Sequence, residues 1–423
     1  MTSPVCGVIR DGVYNGSMTE QSGSLLTSPI VSRLRDIPET IFSRITRLAV
    51  ENNAINLGQG FPDSDGPRRM LEIASEQILS GNNQYAPGRG VPELRKAISA
   101  NREQSYGQVF DPDTEVAVTV GATEGIAASI LALVEPGSEV VLIEPYYDAY
   151  AAAVRLAGGH HVAVPLLPTT DEQGAPRWAL DVEALRRTVS DNTRMIVVNT
   201  PHNPTGHVFT TDEILAISEV AEAHDCLVLS DEVYEHLVFS GARHVPVASV
   251  GSLRERTVTV SSTAKSFNAT GWKTGWVMGP APLVNAAITA KQYMSFVGAT
   301  PFQPAVAYAL REEADWVEGL SQRLESNYKK IAKVCGDIGM TVFPSDGSYF
   351  VVTDISTCEA TKSMTADDFC LALPKDAGVA AIPVTAFVDD KEQYRTLIRW
   401  AFCKKANVID DAIDKLTAWA KGK

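Results

Sequence analysis

The chain has 423 residues, of which 51 are acidic and 37 are basic, so its formal net charge at pH 7 is −14. This length predicts one large α/β unit or more than one domain. The acidic excess opposes the positive surface that binds phosphate backbones or anionic lipids, so neither nucleic acid nor membrane is an expected partner. The 6 cysteines show no Cys-x-x-Cys spacing. That pattern favours a reduced compartment, and we expect the protein in the cytoplasm.

Residues 1–28 are rich in serine, threonine and glycine, and they lack the basic and apolar regions of a secretory signal. We predict a flexible N-terminal tail over this range. No apolar run in the chain approaches the roughly 18 to 20 residues that a membrane-spanning helix requires.

From about residue 115, short apolar runs rich in β-branched residues alternate with longer amphipathic runs. The strand-like runs are EVAVTVG, SEVVLIEP, HHVAVPL, TRMIVVNTP, CLVLSDEVY and TVTVSST. Alternating strands and helices form right-handed crossovers, which give a mostly parallel sheet covered by helices on both faces. The sequence therefore predicts an α/β fold.

The pattern changes after Pro304. Residues 305–339 form a long, heavily charged helical pattern, and the runs YFVVTDI, VAAIPV and TLIRWAF then indicate a smaller sheet. The segment 55–92, rich in proline and glycine, is predicted to be an extended link, and TTDEQGAPRW a surface loop.

These patterns divide the chain into three predicted parts. They are the tail at 1–28, a small α+β domain at 29–60 and 305–423, and a large ligand-binding domain at 61–304.

The carboxyl ends of the predicted strands carry polar residues, and open α/β sheets bind ligands at these ends. The first strand is followed by Gly121 to Gly125, where small residues open a helix whose free amides favour a phosphate. Taken alone, this segment is equally explained as a glycine turn with Thr123 as helix cap. Tyr147 follows the next strand and can stack on a flat ring, although a packed surface aromatic is the simpler interpretation.

Three more strand ends carry Asn203, Asp231 and Lys265. Asn203 begins Asn-Pro-Thr-Gly, which a sharp turn also explains. Asp231 ends an apolar strand, and since an unpaired buried carboxylate is costly, we expect it to face a cation. A lysine in a partly apolar cleft has a lowered pKa and becomes a nucleophile toward aldehydes. The alternative for Lys265 alone is a solvated lysine in a loop.

Together these groups match pyridoxal 5′-phosphate, a planar aromatic aldehyde with a phosphate, a ring nitrogen and a phenolic oxygen. Lys265 is predicted to form a Schiff base with the aldehyde, and Asp231 to keep the ring nitrogen protonated. The remaining contacts are Asn203 and Tyr234 to the phenolic oxygen, Tyr147 to the ring face, and Ser262, Lys273, Ala122 and Thr123 to the phosphate. No metal site is expected.

Further short segments share these features with a known family. They are INLGQGFPD, NQYAPGRGVPELRKAI, VTVGATEGI, IEPYYDAY, NTPHNPTG, SDEVYEHLVF, SSTAKSFNATGWKTGW, DGSYFVV, AAIPVTAF and IRWAFCK. From about Ser32 to Ala418, the sequence resembles class I aminotransferases of fold type I. The similar branch contains kynurenine–glutamine and methionine aminotransferases and the N-succinyldiaminopimelate aminotransferases of actinobacteria.

The resemblance implies transfer of an amino group between an L-amino acid and a 2-oxo acid, in a homodimer with shared active sites. It also implies roles for three residues whose spacing alone did not indicate them. Arg399 matches the arginine that binds the substrate α-carboxylate, and Gly60 matches a glycine whose backbone lies against that carboxylate. Tyr85 matches the tyrosine that reaches the phosphate of the neighbouring subunit. Without the resemblance, Arg399 would be interpreted as a salt-bridge residue at a strand edge.

Two positions depart from the pattern of the kynurenine aminotransferases. Thr123 stands where that group has a tyrosine, and Gly298 where it has an aromatic residue from the partner chain. Both changes remove aromatic bulk, which favours longer or more polar substrate side chains, as in the succinyldiaminopimelate group.

Two other functions use the same scaffold. The same cofactor chemistry supports a lyase, a β- or γ-replacement enzyme or a carbon–carbon bond-forming enzyme. The fold and the residues that contact the cofactor do not distinguish these reactions from amino transfer. A ligand-sensing domain of a transcription regulator is less favoured, since no basic DNA-binding module precedes the domain.

Overall fold

The structure is a computed structural model, and it describes residues 30–35 and 41–422. The predicted tail at 1–28 lies outside the described residues. The described residues divide between two units, with residues 30–35 in the first and residues 41–422 in the second. The described part of the first unit contains one short helix, Ser32–Arg35.

Helices and strands of the described residues are numbered in chain order. The helices are α1 Ser32–Arg35, α2 Ile41–Glu51, α3 Arg68–Leu79, α4 Pro92–Tyr106, α5 Gly121–Leu133, α6 Ala149–Ala157, α7 Val182–Thr188, α8 Thr211–Ala223, α9 Thr263–Ser266, α10 Ala281–Lys291, α11 Gln303–Glu312, α12 Ala314–Asp337, α13 Ala366–Asp376 and α14 Ala406–Lys421. The strands are β1 Ile55–Asn56, β2 Val116–Val120, β3 Glu139–Glu144, β4 His160–Thr170, β5 Pro176–Leu180, β6 Thr193–Asn199, β7 Leu227–Asp231, β8 Thr257–Ser262, β9 Thr274–Met278, β10 Thr341–Phe343, β11 Phe350–Asp354, β12 Val379–Ala380, β13 Ile382–Pro383 and β14 Leu397–Ala401.

The larger sheet has eight strands in the order β2-β9-β8-β7-β6-β3-β4-β5. Its central strands β4, β3, β6, β7 and β8 run parallel, whereas β9 is antiparallel to both of its neighbours. Strands β3, β6, β7 and β8 are almost wholly buried, as expected for a parallel sheet covered on both faces, whereas β4 is only partly buried. This arrangement confirms the predicted α/β fold and brings the carboxyl ends of the central strands to one edge.

The smaller sheet is antiparallel, in the order β10-β11-β14-β13, and β1 pairs with β12 in a separate parallel pair. Helices α12 and α14 pack against each other beside it. Strand β14 matters for function because it carries Arg399, which pairs with Val352 of β11 and Ile382 of β13.

Three local predictions were wrong. The segment 55–92 is not wholly extended, because α3 forms within it by burying Met70 and Ala74 against α11. The helical pattern at 305–339 is broken at Glu313, since α11 packs on α3 and α4 while α12 packs on α14. The predicted loop TTDEQGAPRW is a hairpin tip whose two sides belong to β4 and β5.

None of the helices in the described ranges is long and apolar enough to span a membrane.

Candidate active site

A cavity of about 310 Å³ lies at the carboxyl edge of the large sheet. Of the site residues that the sequence predicted, all except Tyr85 line it. They are Gly60, Ala122, Thr123, Tyr147, Asn203, Asp231, Tyr234, Ser262, Lys265, Lys273 and Arg399. The parallel strand ends therefore bring residues from distant parts of the sequence into one space.

Lys265 lies on the short helix α9, directly after β8. Its Nζ donates a hydrogen bond to Tyr349 Oη at 2.8 Å and lies 5.6 Å from the centre of the Tyr234 ring. Burial lowers the pKa of the amine to about 8, because the ammonium form loses its hydration. A larger fraction of Lys265 is therefore neutral near pH 7 than of an ordinary lysine.

Asp231 is the last residue of β7 and is buried. Its Oδ2 accepts a 2.6 Å hydrogen bond from Tyr150 Oη, and its Oδ1 accepts one from the backbone N–H of Val233 at 3.3 Å. Burial raises the pKa of this carboxyl to about 6. A cationic ring nitrogen in the cavity would reverse that effect and give the carboxylate a partner.

Arg399 is buried among aromatic rings. Its guanidinium carbon lies 4.1 Å from the ring centre of Phe350 and 4.6 Å from that of Phe387. One terminal nitrogen donates to Asn203 Oδ1 at 2.9 Å and the other to Gly58 O at 2.6 Å. Burial lowers the pKa of Arg399 to about 10, so the group keeps its positive charge at neutral pH. A fixed planar cation of this kind suits a carboxylate.

Another part of the cavity wall has the features of an anion site. Helix α5 begins at Gly121, so the first amides of Ala122 and Thr123 have no partner within the helix. Lys273 Nζ lies 3.4 Å from Thr123 Oγ1. Ser262 Oγ is buried and has no hydrogen-bond partner among the described residues. An anion here would meet a cation, a hydroxyl and a helix N-terminus together.

The backbone at this anion site is unusually tight. Lys273 has a φ of 51°, which is uncommon for a residue other than glycine. A Cβ on Gly275 would lie 2.6 Å from the backbone carbon of Gly121. Strained or crowded backbone is typical of functional sites, where the surrounding fold holds it in place.

Three more predicted residues complete the walls. Tyr234 is buried and its ring lies 5.1 Å from that of Tyr349, while Tyr147 lies 5.7 Å from Tyr150. The backbone of Gly60 lies so close to Phe350 that a Cβ at this position would be 2.5 Å from the Phe350 ring. The tight contact explains why a glycine occupies this position.

Tyr85 does not line the cavity. Its side chain is 80% exposed and its ring contacts Phe296 at 5.4 Å. Gly298, the second position of predicted extra room, is likewise absent from the cavity wall and faces Val120.

Sequence reasoning missed several residues at the site. Tyr150 binds Asp231, and Tyr349 binds Lys265. The aromatic residues Phe42, Phe350 and Phe387 surround Arg399. Tyr150 could have been suspected from IEPYYDAY, because it lies one helical turn beyond Tyr147.

A buried charged cluster lies beyond Asp231. Ligand atoms of Glu232, Glu235 and His244 lie within 4.8 Å of one another, a spacing that could hold a metal ion. Arg102, however, forms ion pairs with both carboxylates. Burial acts to raise the pKa of Glu232, but the guanidinium overcomes it and holds that pKa well below its usual range. The cluster is therefore a buried ion-pair network organised by Arg102.

The cavity thus offers an amine, a carboxylate, an aromatic wall and an anion site, in addition to the Arg399 fork. The unpartnered hydroxyl of Ser262 and the free amides of α5 fit a phosphate, and the buried Asp231 fits a protonated ring nitrogen. These groups, together with the strand order of the large sheet, define the protein as a fold type I transferase of the kind that uses pyridoxal 5′-phosphate.

Comparison with known proteins agrees with this class. The pattern of the family Aminotransferase class I and II matches residues 52–416. The chain belongs to this family, whose members use pyridoxal 5′-phosphate, and it is an aminotransferase.

Individual relatives cover nearly the whole chain. The probable N-succinyldiaminopimelate aminotransferase DapC of Mycobacterium tuberculosis is 49% identical over 399 residues, which are 92% of this chain and 98% of the relative. The solved structure of the N-succinyldiaminopimelate aminotransferase of M. tuberculosis has a TM-score of 0.88, with 92% and 100% of the two chains covered. The methionine aminotransferase YbdL of Escherichia coli is 37% identical, with a TM-score of 0.86 and coverage of 92% and 99%. The mouse kynurenine–oxoglutarate transaminase 3 is 36% identical, with coverage of 92% and 89%.

Proposed function

We propose that the cavity around Lys265 transfers an amino group from an L-amino acid to a 2-oxo acid with pyridoxal 5′-phosphate as cofactor. The observation that carries the proposal is that Lys265 and Arg399 line the same cavity. One substrate can therefore present its amino group to the lysine side of the cavity and its α-carboxylate to the arginine.

The cofactor would be held at both ends and on one face. Lys265 would bind its aldehyde carbon, Asp231 its ring nitrogen, and Asn203 and Tyr234 its phenolic oxygen. Tyr147 would cover the ring, and Ser262, Lys273, Ala122 and Thr123 would hold the phosphate. When bound, pyridoxal 5′-phosphate supplies an electron sink that stabilises negative charge at the substrate α-carbon.

The chain's own groups would then orient the substrate and move its proton. Arg399 binds the carboxylate, with Asn203 and Gly58 O holding the guanidinium in place. Lys265, released as a neutral amine, accepts the α-proton and returns it as a general acid, which its lowered pKa favours near pH 7. Phe42, Phe350 and Phe387 exclude water from the arginine, so its attraction for the carboxylate is strengthened.

We further propose that the substrate has a longer, polar or acylated side chain. Thr123 lines the cavity where the kynurenine group has a tyrosine, and the relative with 49% identity is a probable N-succinyldiaminopimelate aminotransferase. The test is a comparison of kcat/KM for N-succinyldiaminopimelate, methionine and kynurenine as amino donors. We expect the first to be the best donor, and a clear preference for kynurenine would contradict this assignment.

We also propose a cytoplasmic homodimer in which the small domain comprises 29–60 and 305–423 and the large domain 61–304. The exposed Tyr85 would reach the phosphate bound by the other subunit. Mixing inactive Tyr85→Ala and Lys265→Ala variants tests the sharing of sites, because a hybrid dimer contains one site without either change. Recovery of activity on mixing supports the proposal, and continued inactivity of a proven hybrid dimer contradicts it.

A further inference from the structure

We propose that Tyr349 is a positioning residue for Lys265, which orients the amine by accepting one of its hydrogen bonds. This inference rests on the proposed role of Lys265 at the site. The relevant state is the one in which the lysine amine is not bonded to the cofactor, as when a substrate has displaced it.

Tyr349 hydrogen-bonds the side chain of Tyr234, and its contacts with Gly60 and Lys265 fix the direction in which its own proton points. Tyr349 Oη contacts Gly60 O and also lies 2.8 Å from Lys265 Nζ. A carbonyl oxygen can only accept, so the single proton of the phenol must point to Gly60. The Tyr349 oxygen can then interact with Lys265 only as an acceptor.

The direction of this hydrogen bond affects the reactivity of the lysine. If the phenol donated to the amine, it would occupy the lone pair that must attack a carbon or accept a proton. Because Lys265 donates instead, one N–H bond is held toward Tyr349 and the lone pair of the neutral amine remains free. Tyr349 therefore restricts the rotation of a flexible side chain without blocking its reactive electrons.

The fold holds Tyr349 rigidly enough for this role. Its side chain is 1% exposed and packs against the rings of Tyr234 and Phe350, at 5.1 and 4.7 Å. The residue before it, Ser348, is buried and has a φ of 65°, a left-handed conformation that is uncommon for serine. Ser348 N donates to Leu237 O at 2.7 Å, which holds this turn against the segment after Asp231.

Tyr349 stays a neutral phenol under ordinary conditions, since burial raises its pKa well above the usual value.

Other groups also act on the Lys265 amine, from several elements around the cavity. The titratable and charged groups that face it are Asp231, Tyr234, Lys273, Tyr349, Arg399 and Cys403. Of these, Tyr349 accepts the hydrogen bond that the structure shows for Nζ.

The test measures how fast Lys265 reacts, separately from turnover. Cofactor-free protein is mixed with pyridoxal 5′-phosphate at a series of pH values, the product is trapped with borohydride, and modified Lys265 is counted by mass spectrometry. In Tyr349→Phe we expect the limiting rate at high pH to fall by about 10-fold, because the amine is no longer oriented. We expect the midpoint of the pH profile to move down by about one pH unit, since the ammonium form loses a hydrogen-bond acceptor.

The control is Tyr394→Phe, which removes a hydroxyl from another fully buried tyrosine. Tyr394 Oη bonds to Leu166 O at 3.2 Å and does not line the cavity. We expect its reaction profile to match the unmodified protein. If Tyr349→Phe also matches the unmodified protein in limiting rate and midpoint, the inference about Tyr349 is wrong. If Lys265→Ala is labelled at the site as strongly as the unmodified protein, the proposed role of Lys265 is wrong instead.

A second measurement does not depend on the folding of a variant. Neutron diffraction from the unmodified, cofactor-free protein locates hydrogen atoms directly. We expect the phenolic hydrogen of Tyr349 between Oη and Gly60 O. A hydrogen placed between Oη and Nζ and bonded to the phenol would overturn the inference.

Discussion

Tyr150 Oη donates a 2.6 Å hydrogen bond to Asp231 Oδ2 in the interior of the large sheet. The two residues are 81 positions apart in the sequence, and the bond fixes the carboxylate at the wall of the cavity. It also opposes the effect of burial, which raises the pKa of Asp231 to about 6. Tyr150 therefore helps to keep this carboxylate ionised.

Tyr150→Phe should move the acid limb of the pH–rate profile to higher pH. Without the hydrogen bond the pKa of Asp231 rises further, so more of the carboxyl is protonated at neutral pH. We expect kcat/KM near pH 7 to fall by about 10-fold, with partial recovery as the pH is raised. A uniform loss at every pH would show instead that the variant only disturbs packing.

Asp231→Asn should separate stability from activity. The folded-state pKa is raised above its ordinary value of 3.8 to about 6, so the folded protein binds more protons than the unfolded chain between these values. Stability from this group therefore falls as the pH rises through that window. Because the introduced asparagine carries no charge, the cofactor-free variant should melt at a higher temperature than the unmodified protein at pH 7, and at a similar one at pH 4.

The same Asp231→Asn substitution should lower kcat by about 10³-fold, because the negative charge that faces the nitrogen of the cofactor ring is lost. Steady-state kinetics with saturating cofactor measure this loss. A variant that melts lower at pH 7 and keeps its activity would contradict the assignment of Asp231 to the cofactor nitrogen.

Arg399→Lys should weaken substrate binding although the charge is kept. A lysine cannot supply the planar fork that binds a carboxylate with two hydrogen bonds, so we expect KM for the amino donor to rise by about 100-fold. Arg395→Lys is the control, since Arg395 forms an exposed surface ion pair with Glu392. Equal KM values for the two variants would rule out the carboxylate role.

Arg102→Leu should destabilise the fold strongly. It would leave Glu232 and Glu235 buried without their cation, which costs about 3 to 5 kcal/mol in the free energy of unfolding. Arg68→Leu breaks only an exposed pair with Glu72 and should change this free energy by less than about 1 kcal/mol. Chemical denaturation compares the two. Similar small effects would mean that the buried network is not held together by Arg102.

The sequence predicted the parts of the fold that depend on local pattern. Near-continuous apolar runs such as 139–144 and 227–231 became the central strands, because only strands buried on both faces have this composition. Their polar ends could be placed together because parallel strands end at one edge. Helix α3 was missed, since its apolar face is narrow and becomes meaningful only against α11.

The hydrogen bonds within the site could not be predicted in the same way. Tyr349 is 84 positions from Lys265, and no local pattern distinguishes a tyrosine that binds the lysine from one that fills a core. Arg399 was assigned through the family resemblance, because the sequence pattern alone suggested a salt-bridge residue at a strand edge. Its burial between Phe350 and Phe387 could be seen only in the folded chain.

The central claim is that Lys265 carries amino transfer in this cavity. The most direct test records the visible absorption of the purified protein with pyridoxal 5′-phosphate before and after an amino donor is added, with released products identified by mass spectrometry. We predict that the band of the lysine-bound cofactor disappears as one equivalent of 2-oxo acid is released and the cofactor becomes pyridoxamine phosphate, and that Lys265→Ala shows neither change. Loss or replacement of the substrate side chain without formation of pyridoxamine phosphate, or unchanged turnover in Lys265→Ala, would contradict the claim.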